Sequence, residues 1–406
     1  MRRIHPDQFR VARRGISREI NRQIVLNLVR SKQPLSRADL ARLMATRRGA
    51  VSLIVNDLIA EGLLFEGAKG EAPRGRKPKF LYIDSRKRCI VAVDVRPTRT
   101  FVMVTDLLAE PVVGISSFPT LPDPDKFVAA LGARIRGLLG EHKELGRCEG
   151  IGLVVPGMVD LSRSRIVFAP RLGWHDVALR DLLARETGLP VQMENSGRAC
   201  ALAQVWDTRG ESATAGDLVF VSVSDGLGVG IVVNGEVMRG KHNVGGEFGH
   251  VPLNTDGPPC ACGASGCWEA YVSNLATLSR YFGRELSPQK PIPDEIARFT
   301  VDDLIARARG GDGKAVAALQ ATAHYLGLGL ASVVNAVDPS RIFLSGEIIA
   351  AWDLLEATVR QALAQRVLAA ATPVIEPTPL FAPDHPRLRG AAALVTAPLF
   401  AAPRVG

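Results

Sequence analysis

Between Glu247 and Glu269 the chain gathers one histidine, three cysteines and two glutamates into 23 residues, in the runs Gly245-Gly-Glu-Phe-Gly-His250 and Cys260-Ala-Cys-Gly-Ala-Ser-Gly-Cys267-Trp-Glu269. Three thiolates and one imidazole complete a tetrahedral Zn²⁺ shell, and four protein ligands leave no open position for a reacting water. His250, Cys260, Cys262 and Cys267 therefore read as a structural zinc site, not a metal catalyst. A chance cluster of buried cysteines and a disulfide framework are the competing readings. Against the disulfides, Met1-Arg-Arg-Ile-His-Pro-Asp lacks the apolar stretch of a secretory leader, and Cys89, Cys148 and Cys200 lie far apart. The chain is accordingly expected to be cytoplasmic. No uninterrupted apolar run of membrane-spanning length stands out, since Thr396 and Pro398 break the segment from Ala391 to Ala402, and no membrane role is expected.

At 406 residues and 47% hydrophobic content the chain can bury more than one core. Its charge is uneven. Residues 1–88 carry 21 Lys/Arg against 8 Asp/Glu, net +13, whereas residues 89–406 carry 29 against 33, net −4. Cations confined to one end point to a polyanion held by that end alone, nucleic acid first among them.

The same end has a helical pattern. Ile16, Ile20, Ile24 and Leu28, with Val25 and Val29, predict an amphipathic helix from about Ser17 to Ser31, closed by Pro34. Ser36-Arg-Ala-Asp39 has the form of a capping box and predicts a short second helix. Thr46 can cap a third, whose apolar face is Val51, Ile54, Val55, Leu58 and Ile59. Gly62-Leu-Leu-Phe65, a polar excursion with Arg74, Arg76 and Lys77, and Phe80-Leu-Tyr-Ile83 then predict a hairpin with a basic tip. Helix-turn-helix plus hairpin is a winged helix. In that geometry the third helix enters the major groove, with Arg47 and Arg48 on guanine edges or phosphates and Ser52 on the same helix; Ser36 and Arg37 position the module, and Arg74, Arg76 and Lys77 straddle an adjacent backbone or minor groove.

From Cys89 onward strand patterns alternate with helical ones: Ile90–Val95, Thr100–Val104, Ile151–Val155, Leu218–Val223, Gly230–Val233 and Arg341–Leu344, with helices near 125–140, 176–187, 197–206 and 314–336. This is α/β organisation. A strand pair recurs near 90–104 and near 218–233, which suggests two related lobes around a cleft. The run Ser224-Asp-Gly-Leu-Gly-Val-Gly230 reads equally as a phosphate loop or as a tight turn.

Gly-Glu-Phe-Gly-His250, the cysteine cluster with Trp268-Glu-Ala-Tyr271, Pro156-Gly-Met-Val-Asp160 and Ser224-Asp-Gly-Leu-Gly-Val-Gly-Ile-Val-Val-Asn-Gly235 together resemble the ROK family of repressors, open reading frames and sugar kinases, over essentially the whole chain. The winged helix resembles the repressor branch. The resemblance implies a winged helix-turn-helix over 1–88 and a two-lobed actin-like, hexokinase-like domain over 89–406. Lobe one would span about 89–200 plus the C-terminal segment, and lobe two about 201–384.

Family kinases carry Glu-Asn-Asp, whose Asp deprotonates the sugar hydroxyl that attacks the γ-phosphate; here the segment is Glu194-Asn195-Ser196. A serine hydroxyl cannot take that proton near neutral pH. The kinases' Asp-x-Gly-Gly-Thr phosphate turn is replaced by Asp94-Val-Arg96-Pro97-Thr98, where Pro97 has no N–H to offer and Arg96 adds a side chain. The resemblance places Asn195, Ser196, Glu247, His250 and Glu269 against sugar hydroxyls, with zinc on one His250 nitrogen and sugar on the other. Two carboxylates favour an unphosphorylated sugar, although Arg171, in a position where the family often has Asn, could serve an anionic one. The expected function is a sugar-responsive, DNA-binding repressor of carbohydrate-utilisation genes, not an enzyme, acting as a homodimer or homotetramer on operator DNA. A DNA-binding protein retaining ATP-dependent sugar kinase activity is the alternative, and a regulator that senses zinc itself is a third reading.

Overall fold

The computed structural model describes residues 16–69, 79–85, 87–161, 163–207, 217–241, 243–287, 290, 292–368, 373–378 and 385–401. The first apolar repeat forms the helix Ile16–Lys32, but its inward stripe is Val25, Leu26 and Val29, while Ile24 is 40% exposed. Ser36 caps the next helix, Arg37–Leu43, through a complete capping box with Asp39. The third helix, Arg48–Ala60, starts one residue later than a Thr46 cap would give. Arg47 occupies the cap position without a side-chain hydrogen bond, so the first N–H groups of this helix lack a side-chain cap. Strands Leu64–Lys69 and Lys79–Ile83 pair antiparallel, with Leu35–Ser36 on the other side of the second, completing the winged helix. The hairpin tip with Arg74, Arg76 and Lys77 lies outside the described residues.

Two five-stranded sheets follow, built to one plan. In the first the order is Val191–Asn195, Arg147–Val155, Arg88–Val95, Arg99–Asp106, Pro111–Pro119. In the second it is Val374–Pro377, Arg341–Ser345, Leu218–Val223, Leu227–Val233, Glu236–Val237. Each contains an antiparallel three-stranded meander extended by two parallel strands. The central strands are apolar on both faces because helices cover both sides. In the second lobe Gly313–Val337 is the cover helix. It is long and apolar enough to span a membrane by length and composition, more so than the sequence reading allowed, yet Leu319, Leu326, Leu330 and Val334 are buried in the lobe's core.

Helix Ser196–Asp207 belongs to neither lobe alone. It packs on the C-terminal helix Pro386–Phe400, which covers the first sheet, and on strands Leu218–Val223 and Leu227–Val233 of the second. The lobe division expected near residue 200 thus falls inside this helix. Glycines permit the approach: a Cβ on Gly230 would sit 2.2 Å from the Gly197 carbonyl oxygen. The N-terminal module joins the body through one continuous apolar cluster that runs from Val25, Val55 and Leu81 to Met103, Trp206, Leu394 and Phe400. Arg30 stacks 3.4 Å above the Trp206 ring and donates to the Trp206 carbonyl, while Asn27 Nδ2 donates to the Phe400 carbonyl at 2.7 Å.

Gly230→Val should lower unfolding stability by about 3 kcal/mol, because backbone faces the added atoms and cannot rotate away. Urea denaturation of the two proteins checks this, and an unchanged midpoint would contradict the packing described.

Candidate functional site

The lobes enclose a cleft of about 320 Å³, and Asn195, Ser196, Glu247, His250 and Glu269 all line it. Strand Val191–Asn195 delivers Asn195 at its end, and Ser196 begins the shared helix. Asn195 Nδ2 donates to the Gly157 carbonyl at 2.8 Å, and its Oδ1 accepts from the Gly197 N–H at 2.8 Å. An amide has two donors and two acceptor lone pairs, so one of each remains for a ligand. Glu269 Oε2 accepts the Leu227 N–H at 2.8 Å, which ties the carboxylate to the Gly-rich turn. Burial pushes the Glu247 carboxyl above the usual range, with Arg198 and His250 opposing. Its nearest cation is Arg198 Nη1 at 3.7 Å.

His250, Cys260, Cys262 and Cys267 come together, all four ligand atoms lying within 4.8 Å of one another. The Cys262–Cys267 sulfur separation is 3.7 Å, and Cys260 Sγ is 3.6 Å from His250 Nδ1. A tetrahedral ion with metal–sulfur bonds of about 2.3 Å and metal–nitrogen bonds near 2.05 Å needs about 3.8 Å and about 3.6 Å for those pairs. The cluster could therefore hold a metal. All six cysteines are free, so the disulfide reading is set aside. The loop turns tightly at Gly266, with φ of +72° and a Cβ position 1.6 Å from the Asn254 carbonyl oxygen, so that Cys267 faces back toward Cys260. Cys262 and His250 line both the cluster and the cleft.

The cleft is also lined by Arg96, Pro97, Thr98, Asp225, Glu347 and Arg387. Arg96 Nε holds the buried Asp94 carboxylate at 2.7 Å and its guanidinium lies over Phe101. Glu347 accepts from Ser224 Oγ at 3.0 Å and from Asn274 Nδ2 at 3.2 Å. The Gly-rich run serves packing: Gly228 and Gly230 let the strand meet Gly197. Sequence reasoning missed Glu347, Arg387, Arg239 and Arg198. Only Arg198 had a signal, its i,i+4 spacing from Glu194. Arg171 lines the cleft with no ion-pair or hydrogen-bond partner among the described residues.

In the winged helix, Arg47 and Arg48 are exposed at the start of the third helix, and Ser52 is half-buried on it. Ser36 and Arg37 are committed elsewhere. Ser36 is 5% exposed, with its hydroxyl on Asp39 Oδ2 at 2.6 Å. Arg37 pairs with Glu66 at 3.0 Å and reaches the Ser52 carbonyl at 3.3 Å. Both brace the second and third helices and the hairpin, a role set by burial that charge and position in the motif do not disclose.

The ROK family model matches residues 116–397. The xylose repressor of Bacillus subtilis strain 168 is 28% identical over 370 residues, covering 88% of this chain and 90% of that protein. A glucokinase of Halalkalibacterium halodurans is 31% identical over 230 residues, 55% of this chain and 69% of the enzyme. Among solved structures, a ROK family transcriptional regulator described as a homolog of the E. coli MLC protein superposes with a TM-score of 0.79 at 26% identity, over 95% of this chain and 97% of that one. A Streptomyces griseus glucokinase in complex with glucose and AMPPNP gives 0.63 at 25% identity, over 75% of this chain and 98% of its own.

Purified protein should contain about one metal ion per chain by elemental analysis, and Cys267→Ser should lose it. Equal metal content in the two proteins would remove the cluster as its site.

Proposed function

The chain belongs to the ROK family, and from that premise we propose a zinc-containing repressor of carbohydrate-utilisation genes that acts in the cytoplasm and is released or engaged by an unphosphorylated sugar. The observation that carries this reading is the convergence of Asn195, Ser196, Glu247, His250 and Glu269 on one cleft, in a protein whose winged helix is continuous with the body's core. Carboxylates suit vicinal hydroxyls because each offers two acceptor oxygens. Zinc, when bound, fixes the loop that carries His250. With Nδ1 toward Cys260, Nε2 is left as the nitrogen for a sugar hydroxyl.

Phosphoryl transfer is not part of the proposal. Ser196 stands where a carboxylate base is needed. In the altered phosphate turn Arg96 is engaged by the Asp94 carboxylate, and Pro97 has no N–H to offer a phosphate. The kinase alternative keeps one supporting fact, the glucokinases among the relatives. An ATP-coupled assay over a sugar panel tests it: no turnover is expected, and activity lost in Glu247→Ala but kept in Ser196→Ala would restore the enzyme reading.

The sugar acts by preferring one arrangement of the lobes. Helix Ser196–Asp207, about 18 Å long, starts in the sugar site and ends at Trp206 beneath Arg30 of the first helix. A shift of its N-terminus is therefore delivered to the DNA-binding module. In a dimer or tetramer such a shift alters half-site spacing, to which operator binding is sensitive.

Operator affinity at fixed salt should change with a neutral sugar and not with its 6-phosphate; a preference for the phosphate, with Arg171 as its partner, would overturn the neutral-effector reading. Arg30→Gln should leave sugar affinity unchanged but shrink the sugar-induced change in operator affinity by roughly threefold to tenfold. An undiminished change would exclude this route. Operator affinity that followed free zinc in the absence of sugar would favour a metal sensor instead.

A further inference from the structure

Helix Arg48–Ala60 has two unlike faces. Val51, Val55 and Leu58 are fully buried and Ile54 nearly so. Gly49, Ala50, Leu53 and Asn56 are exposed, and at about 100° per residue they fall within roughly 120°, with Leu53 near the middle. Leu53 leaves 66% of its surface in water, more than any other large apolar side chain among the described residues except Leu368. No atom lies within 4 Å of the Cβ position at Gly49, so the surface beside Leu53 is open.

A lone exposed leucine is ordinary on a protein surface; its position makes this one informative. It lies five residues into the helix, with Arg47 and Arg48 exposed at the start and a helix N-terminus that no side chain caps. An apolar point with two cations at the helix start beside it fits a polyanion whose surface offers a small apolar group next to acidic edges. The major groove of DNA does so at thymine, whose C5-methyl projects into it, whereas the other three bases present only donors and acceptors there. A protein partner fits less well, because Gly49, Ala50 and Asn56 give Leu53 no apolar neighbours of any size.

We infer that Leu53 reads sequence, packing against the 5-methyl group of a thymine in each operator half-site. The inference rests on the operator-binding reading above. Arg47 and Arg48 then anchor the helix on phosphates or guanine edges, and Asn56, on the same face, reaches a neighbouring base or phosphate. Discrimination against cytosine follows, since cytosine has no C5-methyl group for Leu53 to cover.

The test begins with full-length protein and a pool of random duplexes, from which bound sequences are selected. Each thymine of the selected site is then replaced by deoxyuridine, which removes one methyl group and nothing else. Wild-type protein should bind about fourfold more weakly when the methyl under Leu53 is missing, the worth of one buried carbon. Leu53→Ala should bind the two duplexes equally, and Leu53→Met should keep most of the difference; circular dichroism confirms that both variants fold. Leu53→Ala retaining full sensitivity at every thymine overturns the inference while leaving operator binding intact. So does a selected site with no methyl-sensitive thymine. Failure of the wild-type protein to enrich any sequence would instead bring down the operator-binding reading, and this inference with it.

Discussion

Glu194 and Arg198, each 1% exposed and 2.8 Å apart, meet where strand Val191–Asn195 gives way to the shared helix. Burying two charges costs several kcal/mol each unless the geometry is good and the remaining valences are filled. Here most are. Glu194 also accepts the Asn195 N–H at 2.9 Å and Arg239 Nε at 3.0 Å, while Arg198 reaches the Gly245 carbonyl at 3.4 Å. One pair thereby holds the end of the first sheet, the start of the helix and the second lobe's Arg239–Gly245 segment. The pairing is incomplete in one respect: Arg198 Nη2 has no partner, and Glu247 stands off at 3.7 Å. On the proposed reading, a sugar that donates hydrogen bonds to Glu247 would compete with this guanidinium for the same carboxylate. On that reading, sugar binding would be felt at the joint between the lobes as well as in the cleft.

The joint is continuous with a helix that has little freedom to bend. Gly197 and Gly230 bring it to backbone contact with the second sheet, and Gly390 of the C-terminal helix meets Ala199 from the other side. A helix held this closely on two faces moves as a body or not at all. Its far end is equally confined, with the Trp206 indole donating to the Leu108 carbonyl at 3.2 Å and packed edge-on against Phe400. The N-terminal module adds a second bracket: Arg88 pairs with Glu149 at 2.8 Å and donates to the Glu61 carbonyl just past the third helix. Two contacts at separate points define an angle, so the orientation of the third helix is fixed relative to the body.

Much of this was legible in the sequence because local signals carried it. The capping box at Ser36, the apolar face of the third helix, the repeated strand pair and the His/Cys spacing are each read from a few neighbouring residues. The wall of the cleft was legible through the family resemblance, not through spacing. What escaped reading depends on partners distant in sequence. Arg37 looks like a DNA contact until Glu66 is seen beside it, and Glu347 shows nothing of its place in the cleft until Ser224 and Asn274 are brought to it. The Gly-rich run is the instructive ambiguity. Phosphate binding and close packing call for the same glycines, and only the position of Gly197 assigns Gly228 and Gly230 to packing.

The changes at the two ends of the cleft reinforce each other. Replacing the base with Ser196 would by itself leave a site that binds sugar and ATP together without turnover, and its occupancy would follow both ligands. On the proposed reading, Arg96 engaged by Asp94 takes the altered phosphate turn out of use, and occupancy would then depend on sugar alone. A sensor gains from that separation. Only differential affinity for two lobe arrangements can shift DNA binding. Nucleotide energy that favoured closure regardless of sugar would compress that difference, and product release would dissipate it. If the chain retains the hydroxyl-binding wall and has lost both halves of phosphoryl transfer, as proposed, the sugar's binding energy would be the main term available to move the shared helix.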